Sequence, residues 1–252
     1  EDDLSLHCLD HKGRSVLFYT STTENTKMCV EQCKCEMRES FVRHKDRNGE
    51  SALLYHAKKS KWDVINTMQE MQETQLDDEN KLGSSVLHQL ARSKSKDNSF
   101  SEEQKLILKQ MLEQHDRLLT SVDIRQQTAL HVAALAGNQA MVEFMCEQQP
   151  DIVLKRDQFK LLALAYAKDQ KTYDQIKKYI DEIDATTGEK TDCIREYIAF
   201  QFRMSIKKNE TYQGEKTTIQ EVLALQGVGL FRNSKEVDDI RNAIHTAVQC
   251  LK

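Results

Sequence analysis

Residues 123–148 read DIRQQTALHVAALAGNQAMVEFMCEQ, and their pattern decides the fold. Asp123 opens a short polar turn, Thr128-Ala129-Leu130-His131 follows, and two short helical patterns flank Gly137-Asn138. Thr128 can cap a helix by accepting a backbone N–H two or three residues on. Ala129, Leu130, Ala133 and Ala134 form a narrow apolar stripe, small enough for another helix to lie close. Gly137 can take the left-handed conformation that ends the first helix. A second helix then buries Met141, Val142, Met145 and Cys146. So small a unit cannot bury its apolar face alone, and it therefore implies neighbours.

The neighbours are in the chain. Asp10-His11-Lys12-Gly13-Arg14-Ser15-Val16-Leu17 and Asp46-Arg47-Asn48-Gly49-Glu50-Ser51-Ala52-Leu53 repeat the turn and the helix start. Asn80 to His88 is a third copy, 123–148 the fourth, and Asp157-Gln158-Phe159-Lys160-Leu161-Leu162-Ala163-Leu164 begins a fifth. The turn positions Gly13, Gly49, Gly83, Gln126 and Lys160 are separated by 36, 34, 43 and 34 residues. A polar insertion near Ser93 to Glu103 (SKSKDNSFSEE), expected as an exposed loop between the helices of repeat three, accounts for the long interval.

These residues resemble ankyrin repeats, whose pattern is D-x-x-G-x-T-P-L-H-x-A-A-x-x-G-x-x-x-x-V and whose period is about 33 residues. The resemblance implies an all-α solenoid, helix-turn-helix repeats joined by β-turn fingers, over residues 1–180. The copies diverge. Val16, Ala52, Val86, Ala129 and Ala163 stand where the pattern has Pro, which preorganises a first helical turn. The pattern's His survives only at His88 and His131, where the resemblance implies a bond from imidazole to turn backbone. Phe18, Tyr19 and Thr20 replace the central Ala pair of repeat one, as suits an amino-terminal cap with one partner-free face.

Past Tyr179 the repeats stop, so residues 181–252 are expected to form a helical extension packed on the last repeat or a small helical domain. Asp184 to Lys190 reads as a turn-rich break. Thr191 to Lys207 reads as an amphipathic helix with Ile194, Tyr197, Ile198, Phe202 and Ile206 at helical spacing. Asn209 to Thr217 reads as a loop. Ile219 to Leu225 and Ser234 to Leu251 read as helices around Gly227-Val228-Gly229.

Composition excludes other classes. One Pro and eight Gly argue against β-rich or collagen-like chains. A net charge of −4, from 36 basic and 40 acidic residues, gives no global electrostatic case for nucleic acid. Seven scattered cysteines read as reduced thiols of a cytoplasmic or nuclear protein, and no apolar run reaches the length of a membrane span.

Cys29, Cys33 and Cys35 could supply thiolates to zinc, with His7 or Cys8 as a further ligand. Aligning repeat one on repeat four instead sets Cys29 opposite Val142 and Cys33 opposite Cys146, on a core face. Gly188-Glu189-Lys190-Thr191 and Gly214-Glu215-Lys216-Thr217 lack the spacing of a phosphate loop. No catalytic, metal or cofactor motif is found. Trp62 is expected to pack, and Lys58-Lys59-Ser60-Lys61 to form a solvated helix-to-helix turn.

The resemblance implies a concave surface of turn tips and first helices that binds another protein. Register puts Lys12, Arg47, Asn48, Glu50, Lys81, Leu82, Arg125, Gln127, Gln158 and Phe159 at the tips, with Tyr55 and Lys58 along the first helix of repeat two. The expected partner-binding residues are Arg47, Asn48, Tyr55, Lys58, Arg125, Gln127, Gln158 and Phe159. The expected function is a non-enzymatic scaffold that recruits or masks a partner protein. The alternatives are a substrate-positioning region of a larger enzyme, or self-association through residues 209–252.

Overall fold

A computed structural model describes residues 8–71, 76–93 and 99–208. The expectations for residues 209–252 lie outside the described residues, as do His7 and the middle of the repeat-three insertion. The chain divides into two compact units, Glu1–Ala133 and Ala134–Lys252. Among the described residues there is no β-strand beyond three isolated bridges at turn bases.

In the first unit the helices are α1 (Thr23–Glu31), α2 (Cys35–Val42), α3 (Ala52–Lys58), α4 (Trp62–Gln69), α5 (Val86–Arg92), α6 (Glu102–Gln114) and the start of α7 (Ala129–Ala136). Capping side chains start them where the sequence places Ser and Thr. Thr22 accepts the Asn25 N–H at 3.2 Å, and Ser101 exchanges bonds with Gln104 in a reciprocal box. Leu53, Leu54, Ile65, Met68, Leu87, Leu90, Leu108 and Met111 form the fully buried core. The insertion separates α5 from α6 as expected, and Trp62 packs edge-on against Phe100 with ring centroids 5.5 Å apart.

In the second unit α8 (Gln139–Gln148), a 3-10 turn over Pro150–Leu154, a second over Ala163–Tyr166, α9 (Gln170–Thr187) and α10 (Ile194–Lys208) follow in order. Gly137 is left-handed at φ 72°, and the Asn138 carboxamide caps α8 on the Met141 N–H at 3.2 Å. Met141, Val142, Met145 and Cys146 are all buried.

Repeats one and five lack a first α-helix. Val16–Tyr19 and Ala163–Tyr166 are single 3-10 turns instead. The spacing of caps explains it. Seven residues separate Ser15 from the next cap Thr22, and seven separate Leu162 from Asp169. Ten separate Ser51 from Lys61 in repeat two, enough for two helical turns.

The expected break at Asp184 is corrected, because α9 continues through Thr187 and ends at the left-handed Gly188, φ 72°. Asp184 serves the helix end: its carboxylate accepts the Thr191 hydroxyl at 2.6 Å and the Thr191 N–H at 3.0 Å. The expected helix over 191–207 is α10. Ile198, Ala199 and Phe200 are buried, Phe200 stacks on Tyr173 with centroids 4.4 Å apart, and Tyr197 stays about half exposed. The side chains of Ile194, Phe202 and Ile206 lie outside the described set.

Candidate partner-binding surface

Each repeat tip is held by one side chain at the same place. Asp10, Asp46, Asn80, Asp123 and Asp157 each use Oδ1 to accept the backbone N–H two and four residues on, at 2.8 to 3.0 Å. A short side-chain acceptor mimicking a backbone turn is the reason Asp and Asn recur there. The residue three after it takes positive φ: Gly13, Gly49 and Gly83, but also Gln126 at 57° and Lys160 at 60°.

In the first unit the tips are joined in series. The Arg47 N–H donates to the Lys12 carbonyl, Lys81 to Asn48, and Ile124 to Leu82, at 3.0 to 3.2 Å. Beneath them the imidazoles bridge repeats. His88 Nε2 donates to the Gln127 carbonyl at 2.9 Å, while its Nδ1 accepts the Ser85 N–H at 3.3 Å. Thr128 holds His131 in the same way, its N–H donating to Nδ1 at 3.2 Å. This is the turn-backbone role the sequence assigned. His56 and His44 do similar work unforeseen, bonding the carbonyls of Leu17 at 2.9 Å and Gly13 at 2.7 Å. Burial pushes the His56 and His88 pKa values down, against the upward pull of those carbonyls.

Of the expected partner-binding residues, Arg47, Asn48 and Arg125 are exposed on first-unit tips, and Gln158 and Phe159 on the second-unit tip. Gln127 is a correction: it is only 5 % exposed, because it lies beneath the tip where its carbonyl receives His88. Glu50 is likewise buried rather than at the tip surface. Its carboxylate meets Lys58 Nζ at 3.0 Å and Arg14 at 3.7 Å. Lys58 is therefore tied, though exposed. Tyr55 is half-buried under the Arg14 guanidinium, 4.5 Å from its ring centroid, while Arg14 Nε bonds Asp46 at 3.0 Å. Two tip features went unassigned. Ile124 is 61 % exposed and Leu82 is 50 % exposed, on tips that bond each other. Register put Leu82, but not Ile124, at a tip; an apolar residue in a polar turn was the available signal.

Cys29 and Cys33 are buried apolar side chains of repeat one. Burial pushes the Cys146 thiol up to about 12 and the Cys193 thiol to about 11, away from thiolate chemistry.

No family model and no curated protein sequence matches the chain. Solved structures do. A chain from the complex of the predatory endopeptidase Bd0816 of Bdellovibrio bacteriovorus with immunity protein Bd3460 aligns at 17 % identity and TM-score 0.54, over 70 % of this chain and 86 % of that one. The ankyrin repeat domain of Bcl-3, described as a unique member of the IkappaB protein family, aligns at 16 % identity and TM-score 0.54, over 69 % of this chain and 72 % of that one. The caged tips, the bridging imidazoles and these likenesses together make the fold an ankyrin-repeat fold.

Proposed function

We propose that the chain is a non-enzymatic interaction module that binds a partner protein through its turn tips, recruiting or masking it. The observation that carries this reading is the pair Leu82 and Ile124, large apolar side chains held in water on adjacent, hydrogen-bonded tips and flanked by Arg47 and Arg125. Apolar anchors beside arginine are the composition of binding hot spots, and a rigid tip costs little entropy to dock. Phe159 and Gln158 extend the reading to the second unit's own tip. The neighbour from Bdellovibrio was itself solved in a protein complex, which is in keeping with this role.

The test is affinity capture from cell lysate with the full chain, beside a variant carrying Arg47→Glu, Arg125→Glu and Phe159→Ala, and a second carrying Leu82→Ser and Ile124→Ser. All three must melt alike. A protein captured by wild type and lost by either folded variant supports tip binding. Retention by both variants moves the site off the tips and overturns the assignment.

A further inference from the structure

Every tip of the first unit carries one basic side chain and no exposed acid: Lys12, Arg47, Lys81 and Arg125 occupy the four turns, and all four are exposed. Among the described residues none of the four is paired with a carboxylate. Lys81 Nζ donates only to a carbonyl, that of Arg47, at 2.7 Å, so its charge stays uncompensated. The acids of the same turns are engaged within the unit, Asp123 by the Arg125 and Gln127 N–H groups. Asp46 is 5 % exposed and salt-bridged to Arg14, and Glu50 is 4 % exposed between Arg14 and Lys58. Asp10 Oδ1 is filled by two turn amides and Oδ2 by the Tyr19 hydroxyl at 2.5 Å, contacts that hold its pKa down at about 2. Lys45 engages Asp78 at 3.0 Å just before the third turn. The result is a file of cations along hydrogen-bonded tips, in a chain whose net charge is −4.

Resting on the tip-binding reading above, we infer that the first unit recognises an acidic peptide segment with interspersed aliphatic side chains. The cations supply attraction and orientation for Asp or Glu. Leu82 and Ile124 supply contact area for the aliphatic residues. A nucleic acid would share the charge but not the aliphatic contact, and the four first-unit tips carry no Phe, Tyr or Trp on which a base could stack, His11 being their one ring. Each exposed ion pair is weak in salt, so recognition depends on several tips engaging together.

The test is fluorescence anisotropy of the full 252-residue chain with a labelled Glu/Leu peptide, at low and at physiological salt. A Lys/Leu peptide and a single-stranded oligothymidylate run beside it. The acidic peptide is expected to bind and to weaken severalfold with added salt, while the other two do not bind. Arg47→Gln/Lys81→Gln/Arg125→Gln is expected to weaken it tenfold or more. Lys59→Gln/Lys61→Gln, which removes two exposed charges of the same unit away from the tips, is expected to change it less than twofold. All substitutions lie at exposed positions, and matched melting curves verify folding. The inference is overturned by absence of peptide binding, by equal losses in both variants, or by oligothymidylate binding as tightly as the peptide. A partner lost from capture by Leu82→Ser/Ile124→Ser but kept by the Gln variant would overturn the acidic specificity and leave tip binding standing.

Discussion

The carboxylate of Glu196 accepts the backbone N–H of Leu162 at 3.2 Å, so α10 supplies from outside the repeats an acceptor to the start of repeat five. The same oxygen meets Arg156 at 2.9 Å, and the side chain is 1 % exposed. A buried carboxylate survives only with such partners. With Ile198, Ala199 and Phe200 also buried, α10 packs its apolar face on repeat five.

Glu196→Ala should therefore destabilise the second unit by about 2 kcal/mol. Loss of the buried acceptor orphans the Leu162 N–H, and the half-exposed Arg156 adds little because solvent screens it. Urea unfolding measures the loss, and native-state hydrogen exchange should show the Leu162 amide among the first to gain exposure. A change below about 0.5 kcal/mol would show that α10 is held by its apolar face alone.

The two non-glycine tips offer a gain. Gln126 and Lys160 hold φ near 60°, where a side chain costs roughly 1 kcal/mol. Gln126→Gly and Lys160→Gly should each raise stability by about 0.5 kcal/mol, the relief of strain exceeding the added freedom of the unfolded chain. Gly49→Ala is the opposite case, since a Cβ there would sit 3.0 Å from the Lys81 backbone N as well as at φ 75°. It should cost at least about 1 kcal/mol. Melting temperatures moving together in one direction for all three variants would refute the strain argument.

How much of this could be read from residues alone follows the range of each interaction. The five tips were legible because Asp or Asn and the residue three on obey local rules of turn chemistry, and period then fixed their alignment. The His88 and His131 roles came through the resemblance, which encodes contacts between repeats. What escaped depended on partners distant in sequence. Gln127 was read as a tip residue, but His88, 39 residues earlier, draws its carbonyl inward. Tyr55 and Lys58 were read as partner-binding from their place on the first helix of repeat two, without sight of Arg14 and Glu50, which engage them. The helix α2, between repeats one and two, has no counterpart in the repeat pattern and went unread. The missing first helices of repeats one and five were countable from cap spacing, and their tyrosines mark them. Tyr19 and Tyr166 each stand nine residues after the turn aspartate and donate to its Oδ2 at 2.5 Å. Tyr55 has the same offset, yet Asp46 Oδ2 there receives Arg14.

Arg14 is the next residue to test. Its Nε bonds Asp46, its NH2 group faces Glu50, and its plane lies over Tyr55, so shape matters as much as charge. Arg14→Lys keeps the charge but loses the fork and the stacking, and should cost about 1–2 kcal/mol. Arg14→Met fills the space yet removes the cation that faces Asp46 and Glu50, and should cost more than Arg14→Lys. Equal losses for Lys and Met would show that packing rather than charge is what Arg14 provides.

The buried imidazoles make stability depend on pH in a direction the bonds dictate. His88 Nδ1 accepts the Ser85 N–H and Nε2 donates to the Gln127 carbonyl, so the folded state holds one neutral tautomer. A second proton on Nδ1 would cost the Ser85 N–H its acceptor, leaving the Ser85 hydroxyl, 2.9 Å away, to receive it. His56 is bound to the Leu17 carbonyl and similarly buried. Both pKa values are lowered on folding, chiefly by desolvation, from an unfolded value near 6.5. Between the folded and unfolded values the unfolded chain carries the extra proton, so stability rises with pH across that window. It is fully present above about 6.5 and is lost as pH falls toward the folded values, at up to about 1.4 kcal/mol per pH unit for each histidine. Thermal melts from pH 7.5 to pH 5 should show this decline. His88→Gln should lower stability at pH 7.5 and flatten the slope below 6.5. A slope unchanged by His88→Gln together with His56→Gln would assign the acid sensitivity to other groups and refute the neutral-imidazole bridge.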